Sequence, residues 1–351
     1  MGEEVKEAIA LNVEPACLDR VQSAAMQYTM LGKTGIAVSR IALGCGGFGG
    51  VGSAPAFFGM GESETQAGDI MDAAWEMGIT LFDTADAYGG GRSERAIGGW
   101  LRSKGAQARE QIVLSTKVFH SVVGDPRDRG LGRERILRQF KDSLARLGVE
   151  RVDLYMIHEP DRETPLEETL GAFDSLVRDG RVGAFGACNF EGWRLEKALA
   201  TSAEQSLASF GWVQNSFSLL DRAAENDVLP VCAREGLGFT PFSPLAGGWL
   251  TGKYLPTAAP SPGSRMTLRP EPYRRFENER TFSALDRFCE ASRRRGVAPA
   301  TLAIAWLLGH PQVDAVIVGP RRPEHLEPAR RALELVLTPS ERAEIAAMFD
   351  D

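Results

Sequence analysis

Short apolar runs alternate with amphipathic stretches along the chain from about residue 28 to its end. Eight runs rich in β-branched and aromatic residues predict strands, at residues 41–45, 80–84, 112–118, 152–158, 182–188, 212–217, 239–243 and 315–319. The stretches between them, such as residues 64–77, 133–147 and 165–179, repeat apolar positions at helical spacing. Since residues 112–114 are apolar throughout, they favour parallel strands covered on both faces. The pattern predicts an α/β protein with a single (β/α)8 TIM barrel.

Further patterns surround these eight units. Residues 28–31 and 36–39 predict an N-terminal β-hairpin, which we expect to close the bottom of the barrel. We interpret residues 1–27 as an N-terminal extension and residues 28–351 as one barrel domain. Residues 251–276 form a long connection, and residues 278–310 hold two helical patterns where one would suffice. Two segments predict capped helix starts, Thr164-Pro165-Leu166-Glu167 and Thr338-Pro339-Ser340-Glu341.

Composition narrows the class of protein. The formal net charge of -7 argues against a nucleic-acid partner, because a polyanion demands a basic surface. No apolar run approaches the roughly 20 residues that cross a bilayer, and the N-terminus lacks the order of a secretion signal. The 5 cysteines form no Cys-x-x-Cys pair, which fits a reducing compartment and predicts neither disulfides nor a metal site. We expect a soluble cytoplasmic protein that is a monomer or a homo-oligomer.

A glycine-rich segment follows the first predicted strand of the barrel. Gly44-Cys45-Gly46-Gly47-Phe48-Gly49 matches the spacing of a dinucleotide-binding fingerprint. Such a fingerprint should open a helix at once, yet residues 50–55 predict a loop. We therefore favour a glycine-rich loop at the active face of the barrel. Residues 50–61 are long for such a loop, and Phe57 and Phe58 would be costly to expose unless they cover something.

Four ionisable residues lie at the ends of neighbouring predicted strands: Asp83, Tyr88, Lys117 and His158. In a barrel, these ends and the loops after them carry the chemistry. A phenol with a pKa near 10 is a poor proton carrier at neutral pH, so we expect Lys117 to lower the pKa of Tyr88. Asp83 would neutralise and orient Lys117, and His158 would polarise a carbonyl oxygen. The group therefore suits proton exchange with an alcohol or carbonyl oxygen.

The same segments resemble the aldo-keto reductase family over nearly the whole chain from residue 28. The matching motifs are Phe82-Asp83-Thr84-Ala85-Asp86-Ala87-Tyr88-Gly89, Ser115-Thr116-Lys117-Val118, Ile157-His158, Gly186-Ala187-Cys188-Asn189-Phe190, Val213-Gln214-Asn215 and Phe242-Ser243-Pro244-Leu245-Ala246-Gly247-Gly248. The resemblance implies an NADP(H)-dependent oxidoreductase that reduces an aldehyde or ketone to an alcohol, or runs the reverse oxidation. Tyr88 would donate the proton, supported by Lys117 and Asp83, while His158 orients the substrate.

The resemblance also implies a cofactor site. Asn189 and Gln214 would bind the nicotinamide carboxamide, Phe242 would stack on the ring, and paired arginines after the last strand would bind the 2′-phosphate of NADPH. The implied cofactor contacts are Gly46, Gly47, Asp83, Cys188, Asn189, Gln214, Phe242, Ser243, Pro244, Leu245, Ala246, Gly247, Lys253, Arg265, Gly319, Arg321, Arg322 and His325. Cys188, His325 and Pro328-Ala329 depart from the family pattern. The changes at 325, 328 and 329 affect the adenine end, so NAD(H) is not excluded.

Aromatic residues predict the walls of a substrate pocket for an apolar or sugar-like carbonyl compound. The candidates are Phe48, Phe57, Tyr88, Phe119, His158 and Trp249.

The sequence leaves two alternative functions open. The strand-seven segment also resembles the potassium-channel β-subunit branch, whose members bind NADPH and regulate a partner, although that branch tends to carry asparagine at position 158. A barrel isomerase or aldolase would use Lys117 as a base or Schiff-base former.

Overall fold

The computed structural model describes residues 26–350, so most of the predicted extension lies outside the described residues. The first elements are two antiparallel strands, β1 (Tyr28–Met30) and β2 (Ala37–Ser39), with Tyr28 paired to Ser39. They form the predicted hairpin. Among residues 26–350, no helix is both long enough and apolar enough to cross a membrane.

Eight parallel strands follow, and each pairs with the next along the chain. They are β3 (Ile41–Gly44), β4 (Leu81–Asp83), β5 (Val113–Val118), β6 (Val152–Ile157), β7 (Val182–Cys188), β8 (Trp212–Gln214), β9 (Gly238–Phe239) and β10 (Val316–Val318). β10 pairs with β3. Two backbone hydrogen bonds join the other edge of β10 to β9 and the residues after it, from Asp314 to Phe239 (2.9 Å) and from Ile317 to Pro241 (3.0 Å). The sheet therefore curls round to meet itself, and the predicted (β/α)8 barrel is confirmed.

Helices surround the strands and bury their apolar faces against them. They are α1 (Glu64–Glu76), α2 (Arg92–Lys104), α3 (Ala106–Gln111), α4 (Arg133–Leu147), α5 (Leu166–Arg178), α6 (Gly192–Glu204), α7 (Val228–Glu235), α8 (Arg265–Leu268), α9 (Glu279–Arg294), α10 (Pro299–Leu308), α11 (Glu327–Ala332) and α12 (Pro339–Ala347). The two helical patterns predicted for residues 278–310 are α9 and α10. The long connection at residues 251–276 carries the short helix α8 and a 3-10 turn at Arg274–Phe276.

The hairpin closes the bottom of the barrel, as expected. Leu31 and Val38 are fully buried in a cluster with interior residues of the strands, among them Leu81, Leu154 and Trp212. The amide of Gly32 donates to the carboxylate of Asp314, just before β10, at 3.1 Å. Gly32 has φ of 47°, and a methyl group there would overlap the backbone nitrogen of Gly238. Close packing of the hairpin against the strand starts therefore needs glycine at this position.

The two predicted helix starts have different outcomes. At α12, Thr338 accepts from the Glu341 amide and Glu341 accepts from the Thr338 amide, so the predicted capping box is confirmed. At α5 the prediction is wrong, because Pro165 is the N-cap residue and no side chain caps the helix. The hydroxyl of Thr164 donates instead to Asp161 at 2.8 Å. Asp161, in the loop after β6, therefore binds the hydroxyl group that was expected to cap α5.

Replacing Thr338 with alanine is expected to lower the free energy of unfolding by about 1 kcal/mol, because the α12 amide of Glu341 loses its capping acceptor. The midpoint of urea unfolding measures the change. Ser340→Ala is the matched control in the same helical turn, since within residues 26–350 its hydroxyl makes a single long hydrogen bond, to Glu344 at 3.4 Å. Equal losses in the two variants would contradict a specific capping role.

Candidate active site

A buried ion pair lies at the carboxyl ends of β4 and β5. Lys117 Nζ donates to Asp83 Oδ2 at 2.6 Å and to the carbonyl oxygen of Thr84 at 2.8 Å, and the Lys117 side chain is 0% exposed. The other oxygen of Asp83 accepts from Ser115 Oγ (3.1 Å) and from Gln214 Nε2 (3.0 Å). Parallel pairing of the two strands in register brings these side chains to one level of the barrel. The two charged groups are thus hydrogen-bonded as well as paired, and these interactions offset the cost of removing both charges from water.

Tyr88 lies in a tight turn directly after β4. Gly89, Gly90 and Gly91, which follow it, all have positive φ, so the 3-10 turn at Tyr88–Gly90 needs the conformational freedom of glycine. Lys117 Nζ donates to the Tyr88 hydroxyl oxygen at 3.4 Å. A methyl group on Gly46 would lie 3.5 Å from the phenol ring, so the predicted glycine-rich loop packs beside the ring.

The protonation of Tyr88 differs from the expectation. Burial raises the pKa of Tyr88 to about 12, and the opposing charge of Lys117 does not overcome the loss of hydration. The expected lowering was therefore wrong in net direction, because burial outweighs the one favourable charge. For Lys117, burial acts to lower the pKa, but the neighbouring acidic groups, Asp83 first and then Tyr88 and Cys188, together outweigh it, so its pKa lies above the ordinary value. Near neutral pH the pair is a protonated phenol beside an ammonium.

His158 follows β6 on the other side of Tyr88, with the two ring centroids 5.5 Å apart. Burial, then the charges of Lys117 and His120, hold the pKa of His158 well below its usual range, so the ring is neutral near pH 7. Its Nδ1 is buried and has no hydrogen-bond partner among residues 26–350. The ring of His120 lies 4.7 Å from that of His158, and His120 Nε2 lies 3.3 Å from Glu159 Oε1. Sequence reasoning missed His120, which follows β5 without any motif.

The residues expected to hold a carboxamide lie around this group. Asn189 Nδ2 donates to the carbonyl oxygen of His158 at 3.0 Å and contacts Cys188 Sγ. Gln214 uses its amide nitrogen on Asp83, and its oxygen accepts only a long contact of 3.8 Å from Cys188 Sγ. The amide oxygens of both side chains are therefore available to accept from an N–H group. Phe242 is half-buried beside the barrel interior, with part of its surface open.

Unusual backbone conformations mark the expected cofactor segments. Among residues 26–350, the non-glycine residues with positive φ are Asn189, Ser206, Ser243 and Ala246. Three of these four lie in segments predicted to hold the cofactor, and such conformations persist where function requires a specific backbone shape. Further along, burial and then the charges of Arg321 and Arg265 lower the pKa of Lys253. Three cations lie near one another there, an arrangement that suits phosphate groups.

The arginines after β10 have different surroundings. Arg321 Nε donates to the buried carboxylate of Glu62 at 2.8 Å, and its Nη1 donates to the carbonyl oxygen of Gly263. Its amide donates to His325 Nδ1. Arg322 is exposed and has no ion-pair or hydrogen-bond partner for its side chain among the described residues. Sequence reasoning treated the arginines as a pair and missed Glu62, which the fold brings to Arg321 from 259 positions away.

Apart from Tyr88 and His158, which lie at the ion pair, the structure separates the predicted substrate residues into two sets. Phe57 and Phe119 are half-buried and keep exposed surface near the catalytic face. Phe48 and Trp249 are each 1% exposed and pack in the hydrophobic core, Trp249 against the rings of Tyr254 and Phe282. A wall residue of an open pocket keeps accessible surface, so the structure does not bring Phe48 and Trp249 to the pocket with the others.

Comparisons with known proteins agree on one family. The model of the aldo/keto reductase family matches residues 40–350. A Bacillus subtilis protein named uncharacterized oxidoreductase YrpG is 38% identical over 335 residues, 93% of this chain and 95% of the relative. A probable voltage-gated potassium channel subunit beta of Arabidopsis thaliana is 33% identical, over 90% of this chain and 94% of the relative. An L-glyceraldehyde 3-phosphate reductase of Escherichia coli is 32% identical, over 91% of each chain.

Proposed function

This chain belongs to the aldo/keto reductase family, and from that premise we propose that it is an NADP(H)-dependent oxidoreductase. It reduces an aldehyde or ketone to an alcohol or runs the reverse oxidation. The observation that carries this proposal is the contact of Lys117 with both the Asp83 carboxylate (2.6 Å) and the Tyr88 hydroxyl (3.4 Å). A protonated phenol held by a buried ammonium is a proton donor aimed at one oxygen atom.

The side chains divide the proton chemistry among them. Tyr88 donates its hydroxyl proton to the substrate oxygen while the carbonyl carbon accepts a hydride, so the product is a neutral alcohol. Lys117 stabilises the phenolate that forms, and Asp83 holds Lys117 in place through the 2.6 Å bond. Neutral His158 donates a hydrogen bond to the same oxygen and keeps the carbonyl oriented.

The residues present fit a nicotinamide dinucleotide. Open amide oxygens on Asn189 and Gln214 suit a carboxamide, and the cationic group around Lys253 suits phosphates. A half-buried Phe242 offers a ring for stacking. The cofactor supplies, when bound, the hydride that the carbonyl carbon accepts.

A panel of aldehydes and ketones, assayed by the loss of NADPH absorbance, tests the proposed activity. We expect turnover of several aldehydes and tighter binding of NADPH than of NADH in fluorescence titrations. A wild-type protein that binds NADPH but reduces no carbonyl in the panel would contradict the proposed reaction.

Arg322→Ala is expected to weaken NADPH binding about tenfold, because a free guanidinium binds the 2′-phosphate through charge-assisted hydrogen bonds. Arg321→Ala should have a smaller effect, since Glu62 already engages that side chain. Fluorescence titration of both variants measures the dissociation constants, with NADH as the control ligand. Similar weakening of NADH binding by Arg322→Ala would contradict recognition of the 2′-phosphate.

The relative named as a potassium channel subunit favours a second candidate, an NADPH-binding regulatory subunit with slow catalysis. His158 beside Tyr88 argues for the catalytic role, since a purely regulatory protein has no need of an orienting donor. A Schiff-base mechanism at Lys117 has less support. That lysine is fully buried, paired with Asp83 and protonated, whereas a nucleophilic amine must be free of its proton.

A further inference from the structure

One arginine of the long connection packs against the loop at residues 50–61. Arg269 directly follows α8 and is half-buried. A methyl group added to Gly52 would lie 2.9 Å from Arg269 Nη1, so the guanidinium rests against the loop at residues 50–61. The carbonyl oxygen of Gly52 accepts from the amide of Gly89 at 3.1 Å, and Gly89 adjoins Tyr88. The charge of Arg269 therefore lies on the Tyr88 side of the pocket.

The charge of Arg269 also acts on Glu159, which directly follows His158. The pKa of Glu159 lies below its ordinary value, first because His120 donates a hydrogen bond to it, and further because the charges of Arg129 and Arg269 favour its ionised form. Arg129 precedes Gly130, whose amide donates to the carbonyl oxygen of Phe119 at 2.9 Å. We call His120, Arg129, Glu159 and Arg269 the mouth cluster.

The two arginines of the mouth cluster have no partner of their own. Among residues 26–350, neither the Arg129 nor the Arg269 side chain makes a hydrogen bond or an ion pair. Nearby Arg135, by contrast, donates to the carbonyl oxygens of His120 and Gly130. Glu159 is 45% exposed and already accepts from His120, so the mouth cluster keeps an excess of positive charge in a net-acidic chain.

The arginine at 269 is separate from the cations assigned to the cofactor. Burial lowers the pKa of Lys253 most, followed by the charges of Arg321 and Arg265, whereas the charge of Arg269 acts on Glu159 beside His158. Arg265 and Arg269 lie one turn apart at α8, so Arg265 joins the phosphate cations and Arg269 belongs to the adjacent mouth cluster.

We infer that the substrate of this enzyme is a carbonyl compound with an anionic group, a carboxylate or a phosphate, which Arg269 and Arg129 bind. The inference rests on the proposed function and names its substrate class. A planar guanidinium can pair with either group through two parallel hydrogen bonds, and an anion would satisfy donors that the protein leaves open.

Matched substrate pairs test the inference directly. We would compare 4-carboxybenzaldehyde with methyl 4-formylbenzoate, and glyceraldehyde 3-phosphate with glyceraldehyde, because each pair differs chiefly in the charge. The wild type should show a kcat/KM about tenfold to a hundredfold higher for the charged member of at least one pair. Preference in the first pair alone identifies a carboxylate, and preference in the second alone identifies a phosphate.

Variants of the mouth cluster assign the preference to its charges. Arg269→Met should reduce the ratio of charged to neutral kcat/KM about tenfold or more, mainly through KM, and Arg269→Lys should restore part of it. Glu159→Gln removes a negative charge while keeping an acceptor for His120, so it should raise the ratio. Arg274→Met is the matched control: Arg274 is exposed on the same connection, and its side chain has no bond among residues 26–350.

The outcomes separate this inference from the proposed function. Turnover of the neutral members with no preference for the charged ones, or an equal loss for both in Arg269→Met, overturns the anion site and leaves the reductase intact. Absence of any turnover overturns the reductase. Calorimetry with terephthalate, which has no aldehyde or ketone group to reduce, then tests the anion site by itself. We expect Arg269→Met to bind terephthalate about tenfold more weakly than the wild type. Unchanged binding would refute the anion site.

Discussion

Replacing Tyr88 with phenylalanine is expected to lower kcat for aldehyde reduction by roughly 10²- to 10⁴-fold, the usual contribution of a positioned proton donor. The substitution removes only the hydroxyl group that Lys117 contacts at 3.4 Å. The aromatic ring remains, so its edge contact with the ring of His158 should persist. Steady-state NADPH consumption measures the loss, and a fluorescence titration should give an unchanged dissociation constant for NADPH.

Tyr155→Phe is the matched control for this experiment. Tyr155 lies in β6, is 0% exposed, and its hydroxyl has no hydrogen-bond partner among residues 26–350. Its loss should therefore leave kcat unchanged. A Tyr88→Phe enzyme that keeps full turnover would exclude Tyr88 as the proton donor.

Lys117→Met is expected to lower the free energy of unfolding by about 3–5 kcal/mol, because it leaves the carboxylate of Asp83 buried without its counter-ion. Asp83 would keep its bonds from Ser115 and Gln214, which do not neutralise its charge. Urea unfolding of the purified variant measures the change. A loss below about 1 kcal/mol would contradict an uncompensated buried charge in the variant.

The double variant Asp83→Asn, Lys117→Met separates stability from catalysis. Removing both charges should recover most of the lost stability, since no charge then has to be removed from water. Turnover should stay as low as in the single variant, because no ammonium then stabilises the phenolate of Tyr88. Recovery of both properties together would argue that Lys117 only supports the fold.

The strand pattern of the barrel could be predicted from the sequence because parallel strands covered on both faces are continuous apolar runs. The residues at which the strands end were predicted less accurately. Residues 239–243 were predicted as a strand, yet β9 ends at Phe239, since Pro241 has no amide to donate to the ladder. Residues 212–217 were also predicted, but β8 ends at Gln214. Phe217 is buried against Trp306 as part of a loop, and burial alone does not distinguish loop from strand.

Within the site, the four catalytic candidates were predictable because they follow successive strands, which a barrel must bring to one face. The net pKa shift of Tyr88 was not predictable, because it depends on how completely the folded chain excludes water. Glu62 and Arg269 had no local signal either. Their surroundings arise from loops that follow different strands, with Glu62 after β3 and Arg321 after its neighbour β10 brought together from distant parts of the chain.

The hairpin beneath the barrel has a practical consequence for attaching the enzyme to a surface. Met26 packs near Gly78 and Gln27 bonds to the carbonyl oxygen of Leu333, so the described chain enters at the barrel's N-terminal face. The mouth cluster lies at the opposite face. A tether joined directly to Met26 therefore starts on the side away from the proposed catalytic residues, and a bead or electrode bound there would leave the mouth cluster facing solution.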